Sequence, residues 1–482
     1  MAIKSSSIRP RDKNLEPQYI RSEIRKTSQR GTSSPLIVVY GFLTIIIIGA
    51  FLLYLPFSHY GEISFIDSLF TATSATTVTG LTVVDTFSSW TFVGQIIIAL
   101  LIILGGIGFM TGAAFFLIAA GQSLGLTRRV QIGQGLGEEK LDSVRGLVLK
   151  VVISSLFFQI IGAVIFMILF NFKFENSFSD NLWFSFFHSI SSFNNAGFAI
   201  FQENSNLEIF SQGVLNNLIL IVTSLFFFLG GIGYFVVNDL IHHRKILGQK
   251  GFKKFRILLS LETKMILIGS IVLAIIGTIL IFSFEYSNNQ TIGQFNFLEK
   301  IVNSFFTSMS TRTAGFNSFD MSLSNDYTNV ICGLLMFIGG GPASTAGGIK
   351  ITTFILSILM IFSHLKGSEN INFSNREIPY SLGVRSLVIL VLSLFIVLFM
   401  ITLLLIFEEQ YNVAHITFET FSAFATNGMS TGKSAILSDS SKLVFIFGMF
   451  IGRLGPMTLA LLISGSKKST EYRFFQEKVR IG

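Results

Sequence analysis

Thr77-Val78-Thr79-Gly80-Leu81 recurs in altered form three more times: Asn194-Asn195-Ala196-Gly197-Phe198, Arg312-Thr313-Ala314-Gly315-Phe316 and Ala425-Thr426-Asn427-Gly428-Met429. The glycines are 117, 118 and 113 residues apart, and each is followed by a large apolar residue. Ten residues before each stands a phenylalanine: Phe70, Phe187, Phe305 and Phe418. Four matches at one offset define an internal repeat. About a dozen mixed apolar and small polar residues precede each glycine, for example Phe65 to Thr76 and Ile416 to Ala425, too few to cross a membrane. These stretches are expected to be re-entrant half-helices.

The surroundings are apolar. Of 482 residues, 50% are hydrophobic and 13% charged, and mean hydropathy is +0.65, so lipid is the expected solvent. A single cysteine, Cys332, excludes an internal disulfide framework. Eight stretches are long enough to span: Leu36 to Phe57, Thr91 to Ala120, Gly146 to Phe170, Val214 to Val237, Met265 to Phe284, Val330 to Phe362, Leu387 to Phe407 and Leu443 to Ser464.

The net charge of +8 comes from the loops between these stretches. With the N-terminus placed inside, 28 Lys and Arg fall on the cytoplasmic side, against Lys173, Lys300, Arg312, Lys433 and Lys442 in the outer loops. Lys350 and Arg453 fall inside predicted helices. This asymmetry is a topology signal that puts both termini in the cytoplasm, and it removes nucleic acid as the reason for the basic charge. The polar N-terminus to Gly31 has neither the apolar core nor the cleavage site of a signal peptide.

Non-helical backbone at membrane depth is tolerated where it is buried in protein or lines water, so four such loops imply a shared aqueous axis. The expected fold is an all-α polytopic membrane protein of four pseudo-repeats, each span, pore half-helix, filter loop and span, around one central pore. The tails are 1–34 and 466–482, and the repeats 35–120, 146–238, 261–362 and 383–465. Backbone carbonyls can replace the hydration shell of a monovalent cation, and glycine lets successive carbonyls face the axis. The expected filter comprises Val78, Thr79, Gly80, Asn195, Ala196, Gly197, Thr313, Ala314, Gly315, Thr426, Asn427 and Gly428. The half-helix ends would add partial negative charge.

Each second span carries a glycine cluster: Gly105-Gly106-Ile107-Gly108, Gly230-Gly231-Ile232-Gly233, Gly339-Gly340-Gly341-Pro342 and Gly452-Arg453-Leu454-Gly455. In the first two units, close helix packing and a pore-lining role account for the cluster equally well. In the fourth, Arg453 replaces a glycine within an apolar span, which points to a cavity or a partner. In the third, five glycines and a proline in the ten residues from Gly339 to Gly348 break the helix. Gly339, Gly340, Gly341, Pro342, Ser344, Thr345, Gly347, Gly348 and Arg453 form the candidate gate. Ser344, Thr345 and free carbonyls are expected to hang below the filter and pair with Arg453. A structural kink or a folding role for the arginine is the plainer reading.

Gly428 to Ser434 has three residues between its glycines where a phosphate loop needs four. His59, His188, His242, His243, His364 and His415 lack metal-protease spacing, and His242-His243 is read as part of a solvated basic loop. No nucleophile, acid and base cluster is present, so no enzymatic activity is expected.

From about Pro35 onward the chain resembles the Trk/Ktr/HKT superfamily of potassium transporters. Thr77-Val78-Thr79-Gly80-Leu81, Thr311-Arg312-Thr313-Ala314-Gly315-Phe316-Asn317, Gly347-Gly348-Ile349-Lys350 and Gly452-Arg453 carry the likeness. The basic tail and the lack of further N-terminal spans are similar to the Ktr membrane subunit. The resemblance implies potassium at the carbonyls of the four glycine loops, with Gly80 favouring potassium where serine goes with sodium permeation. It also implies a gating loop at Gly339 to Gly348 touching Arg453, a homodimer in the plasma membrane among lipid, and a cytosolic nucleotide-binding regulatory ring. No cofactor is expected in this chain. Sodium remains a candidate coupling or activating ion. Channel-like potassium uptake, sodium-coupled symport and a non-transporting membrane scaffold are the competing functions.

Overall fold

A computed structural model describes residues 36–108, 144–201, 207–368, 370–432 and 437–455, with Thr111 and Ile118. The predicted tails 1–34 and 466–482 and most of the basic loop before Val144 lie outside the described residues.

Four units follow one another. The first is α1 (Leu36–Tyr54), half-helix α2 (Phe65–Thr77) and α3 (Phe92–Ile107). The second is α4 (Val144–Lys173), half-helix α5 (Phe178–Asn194) and α6 (Val214–Ile232), followed by α7 (Tyr234–Leu258). The third is α8 (Leu261–Glu285), half-helix α9 (Phe297–Ser310), α10 (Asp326–Phe337) and α11 (Ile351–Leu365). A hairpin of β1 (Ile371–Phe373) and β2 (Arg376–Ile378) leads to the fourth, which is α12 (Tyr380–Phe407), half-helix α13 (Val413–Ala425) and α14 (Asp439–Leu454).

Side chains start the half-helices. Ser64 caps α2, Ser177 caps α5, Asn412 caps α13, and Asn296 with Glu299 forms a capping box at α9. Asp67, Asp180 and Glu299 place negative charge at the positive end of the helix dipole.

The units close into a ring in chain order. The second span of each packs on the half-helix of the next: α3 on α5, α6 on α9, α10 on α13, and α14 back on α2. Different side chains tie the junctions. Trp183 Nε1 donates to Gln95 Oε1 at 2.8 Å between units one and two, and Asn303 Nδ2 donates to the Ser211 carbonyl at 2.8 Å between two and three. Phe337 meets Phe421 edge-on at 5.6 Å between three and four. The fourth junction joins the two ends of the chain, where Phe70 packs with Phe445 and Met449, and Lys442 Nζ pairs with Asp67 Oδ1 at 2.7 Å.

Around an apolar core, many small polar side chains are buried and many large apolar ones exposed, unlike in a water-soluble protein. Thr71, Thr73, Ser74, Thr76, Thr77 and Thr79 are buried along α2 and its loop, while Phe395 and Leu398 on α12 are 67% and 61% exposed. Lipid accepts that outer surface. Among the described residues, four helices are long and apolar enough to cross a membrane alone: Val148–Lys173, Val214–Ile232, Leu261–Glu285 and Tyr380–Phe407.

The glycine clusters explain how the spans approach so closely. A Cβ added at Gly105, Gly230 or Gly452 would overlap the carbonyl oxygen of Thr76, Phe193 or Phe424 respectively. Each of those carbonyls lies four residues before its loop glycine, so packing of the second span against the end of its own half-helix accounts for these three positions.

Several expectations are corrected. The stretch Val214 to Val237 breaks at Gly233, whose φ is 87°. Lys350 stands just before α11, at its N-cap position, and is not inside a helix. Lys300 and Lys442 lie on α9 and α14, not in outer loops. His242 and His243 lie on α7, and His243 Nδ1 is 3.0 Å from Asp239 Oδ1. In the third unit Phe305 is half-buried while Phe306 is fully buried, one residue nearer its glycine than in the other units.

Substituting Gly230→Ala is expected to destabilise the protein by about 3 kcal/mol or more, because the clash is with fixed backbone. Gly146→Ala, on α4 with open space around it, should be neutral or stabilising by up to about 1 kcal/mol. Thermal unfolding in detergent compares the two, and equal stability would remove the close-packing argument.

Candidate functional site

Three half-helices end alike. In every unit the residue two before the glycine has a positive φ, Val78 at 57°, Asn195 at 60° and Thr426 at 48° in units one, two and four, and Thr313 at a wider 90° in the third. The next amide then turns back to the helix: Thr79 N donates to the Ser74 carbonyl at 2.7 Å, Ala196 N to Ser191 at 2.8 Å and Asn427 N to Ser422 at 2.9 Å. Asn tolerates this conformation, but for the β-branched Val78 and Thr426 it stores strain of about 1–3 kcal/mol. In the third unit the half-helix stops at Ser310, whose carbonyl takes both Ala314 N at 3.0 Å and Gly315 N at 3.3 Å. The turn bonds have moved one residue toward the glycine, in step with the shift from Phe305 to Phe306.

The four loops meet. Gly80, Gly197, Gly315 and Gly428 have φ of 93°, 70°, 74° and 95°, open to glycine at little cost. A Cβ at Gly80 would strike the carbonyl oxygen of Ala196, one at Gly197 would lie 2.8 Å from that of Ala314, one at Gly315 would strike that of Asn427, and one at Gly428 would strike that of Thr79. Each glycine therefore lies against the carbonyl that precedes its neighbour's glycine. The circuit closes after four steps.

Buried side chains hold it. Ser74 Oγ accepts from Gly80 N at 3.0 Å and Ser422 Oγ from Gly428 N at 3.1 Å. Asn195 Nδ2 donates to Thr313 Oγ1 at 3.0 Å, and Asn427 Nδ2 donates to the Ser310 carbonyl at 2.8 Å, each between neighbouring units. Val78, Thr79, Ala196, Thr313, Ala314, Thr426 and Asn427 are all buried. The amide bridges were not expected, because their partners are more than 100 residues apart and no local pattern marks them.

The segment between α10 and α11 folds back on itself. Gly339 N donates to the Ile349 carbonyl at 2.8 Å and Ile351 N to the Gly340 carbonyl at 3.0 Å, forming a neck. Beyond it, Gly341 N reaches the Gly231 carbonyl at 2.9 Å and Thr345 N the Gly230 carbonyl at 3.4 Å, in the second unit. A Cβ at Gly348 would lie 3.3 Å from Ala425 Cα in the fourth. Pro342 carries a carbonyl 2.9 Å from where a Cβ of Gly233 would stand.

Arg453 joins this segment to the remaining unit, donating from Nη1 to the Thr345 carbonyl and from Nη2 to the Gly105 carbonyl. The expected pairing of the segment with Arg453 is made and the Thr345 hydroxyl has no hydrogen-bond partner, but three of the carbonyls expected to be free are held. The Thr345 carbonyl is held by Arg453, that of Ala346 by Lys350 Nζ at 2.5 Å, and that of Gly341 by Ser344 Oγ at 2.6 Å. Ser344 is half-buried and Thr345 buried. Buried carbonyls at membrane depth need donors, and two cations and the Ser344 hydroxyl supply them. Arg312, counted with the outer loops by sequence, is 8% exposed, and its Nη2 donates to the Gly339 carbonyl at 3.3 Å.

The sequence pattern of the family described as "TrkH: Cation transport protein" matches residues 19–472. The chain is 40% identical over 435 residues to "Ktr system potassium uptake protein B" of Bacillus subtilis, covering 90% of this chain and 94% of that one. It is 32% identical over 467 residues to "Potassium/sodium uptake protein NtpJ" of Enterococcus hirae, covering 95% and 100%. The crystal structure of the potassium transporter TrkH from Vibrio parahaemolyticus superposes with a TM-score of 0.69 at 18% identity, covering 91% of this chain and 86% of the other, a likeness of fold. A helical membrane architecture of four closed units, with a family match across nearly all of its length, makes this chain a member of the TrkH family of cation transport proteins.

Proposed function

We propose that the chain takes up potassium through the axis of the four-unit ring, as a channel-like protein driven by the membrane potential. The closed circuit of glycine loops carries this reading. Stacked carbonyls of Val78, Thr79, Gly80 and their counterparts would replace the ion's water, leaving no fixed charge in the path. Glycine at all four ring positions keeps the carbonyls uncrowded, and the potassium-uptake relatives agree in substrate. Cation transport needs no reaction centre.

The segment 339–348 with Arg453 is the gate of this reading. Its support is the contact of the segment with the second and fourth units, and of Arg453, on the fourth, with the segment and with Gly105 of the first. The gate opens when the carbonyl of Thr345 leaves the guanidinium. The protein works in the plasma membrane as a homodimer among lipid, with both termini cytoplasmic and a cytosolic nucleotide-binding ring as regulator. The name of the Bacillus subtilis relative, a component of a "system", favours such a partner. Sodium coupling is the second reading, favoured by the name of the Enterococcus hirae relative.

Purified protein is expected to melt at a higher temperature in potassium than in choline. At a hundredfold excess over the dissociation constant, binding stabilises by about 2.7 kcal/mol. Gly428→Ser, which places a side chain against the Thr79 carbonyl, should abolish that increment and the selective flux; a retained increment counts against the ring as the binding site. In liposomes, deleting 341–347 or substituting Arg453→Ala should raise potassium flux several-fold. Uptake that stops without sodium would replace uncoupled flux with symport.

A further inference from the structure

Arg312 is a buried cation with one weak partner. Its Nη2 reaches the Gly339 carbonyl at 3.3 Å, its Nε has no hydrogen-bond partner, and no carboxylate pairs with it among the described residues. Methionine or leucine would fill the same space without desolvating a charge, so packing alone does not account for a guanidinium here.

Its position in the repeat is informative. The residues three before the other loop glycines are Thr77, Asn194 and Ala425. Thr77 Oγ1 donates to the Thr73 carbonyl at 2.7 Å and Asn194 Nδ2 to the Ile190 carbonyl at 2.9 Å, both within their own half-helices. Arg312 reaches out instead to the broken second span of its own unit. It grips that span at the neck, where Gly339 N meets the Ile349 carbonyl and Ile351 N meets the Gly340 carbonyl. One side chain thus joins the glycine loop of the third unit to the stretch that enters segment 339–348, which the neck bonds in turn tie to the stretch that leaves it.

We propose that Arg312 is a positioning residue that couples the third quarter of the filter to the gate, so that displacement of the segment alters which cations the filter passes. The inference rests on the filter and gate readings above. The side chain acts through the Gly339 carbonyl and need not touch the ion. Loss of the link leaves both parts in place but independent.

The test compares rubidium and sodium influx into proteoliposomes for four proteins: the natural chain, Arg312→Gln, the 341–347 deletion, and the two changes together. The deletion is expected to raise rubidium flux in both backgrounds. It should shift the rubidium-to-sodium ratio by about threefold or more when Arg312 is present, within the range of couplings between contacting groups, and leave the ratio unchanged in Arg312→Gln. A ratio shifted equally in both backgrounds, or in neither, overturns the coupling while leaving the gate intact. A deletion that does not raise flux overturns the gate reading and the coupling with it. A purely structural role would scale both fluxes together and leave the ratio alone. Should Arg312→Gln fail to fold, Arg312→Lys keeps the charge but lacks the planar fork, and is expected to shrink the deletion-induced shift; a shift of full size there overturns the proposal.

Discussion

Where a side chain would begin at each loop glycine, the backbone carbonyl of the neighbouring unit already stands. That close approach governs the rest of the structure. Four loops can share one axis at membrane depth only if each lacks a Cβ, and each loop can be placed there only by a half-helix too short to cross the membrane. The half-helices are wedged between spans in turn, and the spans come near enough only because Gly105, Gly230 and Gly452 present bare backbone to the half-helix ends. Glycine therefore acts twice, once between units at the axis and once within units at the packing contact.

The membrane sets the remaining terms. Apolar side chains such as Phe395 meet lipid on the outside, where they gain little by burial, so hydroxyls, amides and a few ions join a buried aromatic core in ordering the inside. The pairing of Lys442 with Asp67 is such an ion pair, placed at the one junction that no continuous stretch of chain supports. Its partly exposed position gives it modest energetic weight, and the adjoining packing of Phe70 with Phe445 and Met449 carries most of the closure.

The broken third unit shows how asymmetry grows from a symmetric plan. Its helix cannot continue through Gly339 to Gly348, so carbonyls are released into a low-dielectric interior where water is scarce. Arg312, Lys350 and Arg453 answer them from three directions, with neutral carbonyls standing where carboxylates would stand in a simple ion pair. Such contacts are strong enough to hold a segment and weak enough to be exchanged.

The four-unit plan is legible along the chain, because re-entrant loops must return at membrane depth and a repeated glycine permits the return. The sequence also exposed the two departures from symmetry, since an arginine in an apolar span and a glycine-rich break violate local rules on their face. Tertiary structure alone decided the direction of contacts: that units close in chain order, that Asn195 and Asn427 bridge neighbours, and that Arg312 belongs to the interior. Those outcomes join residues far apart along the chain, and neither composition nor periodicity encodes a distance in space. The shift from Phe305 to Phe306 has the same origin, a one-residue change in hydrogen-bond register at Ser310 that only the folded backbone reveals.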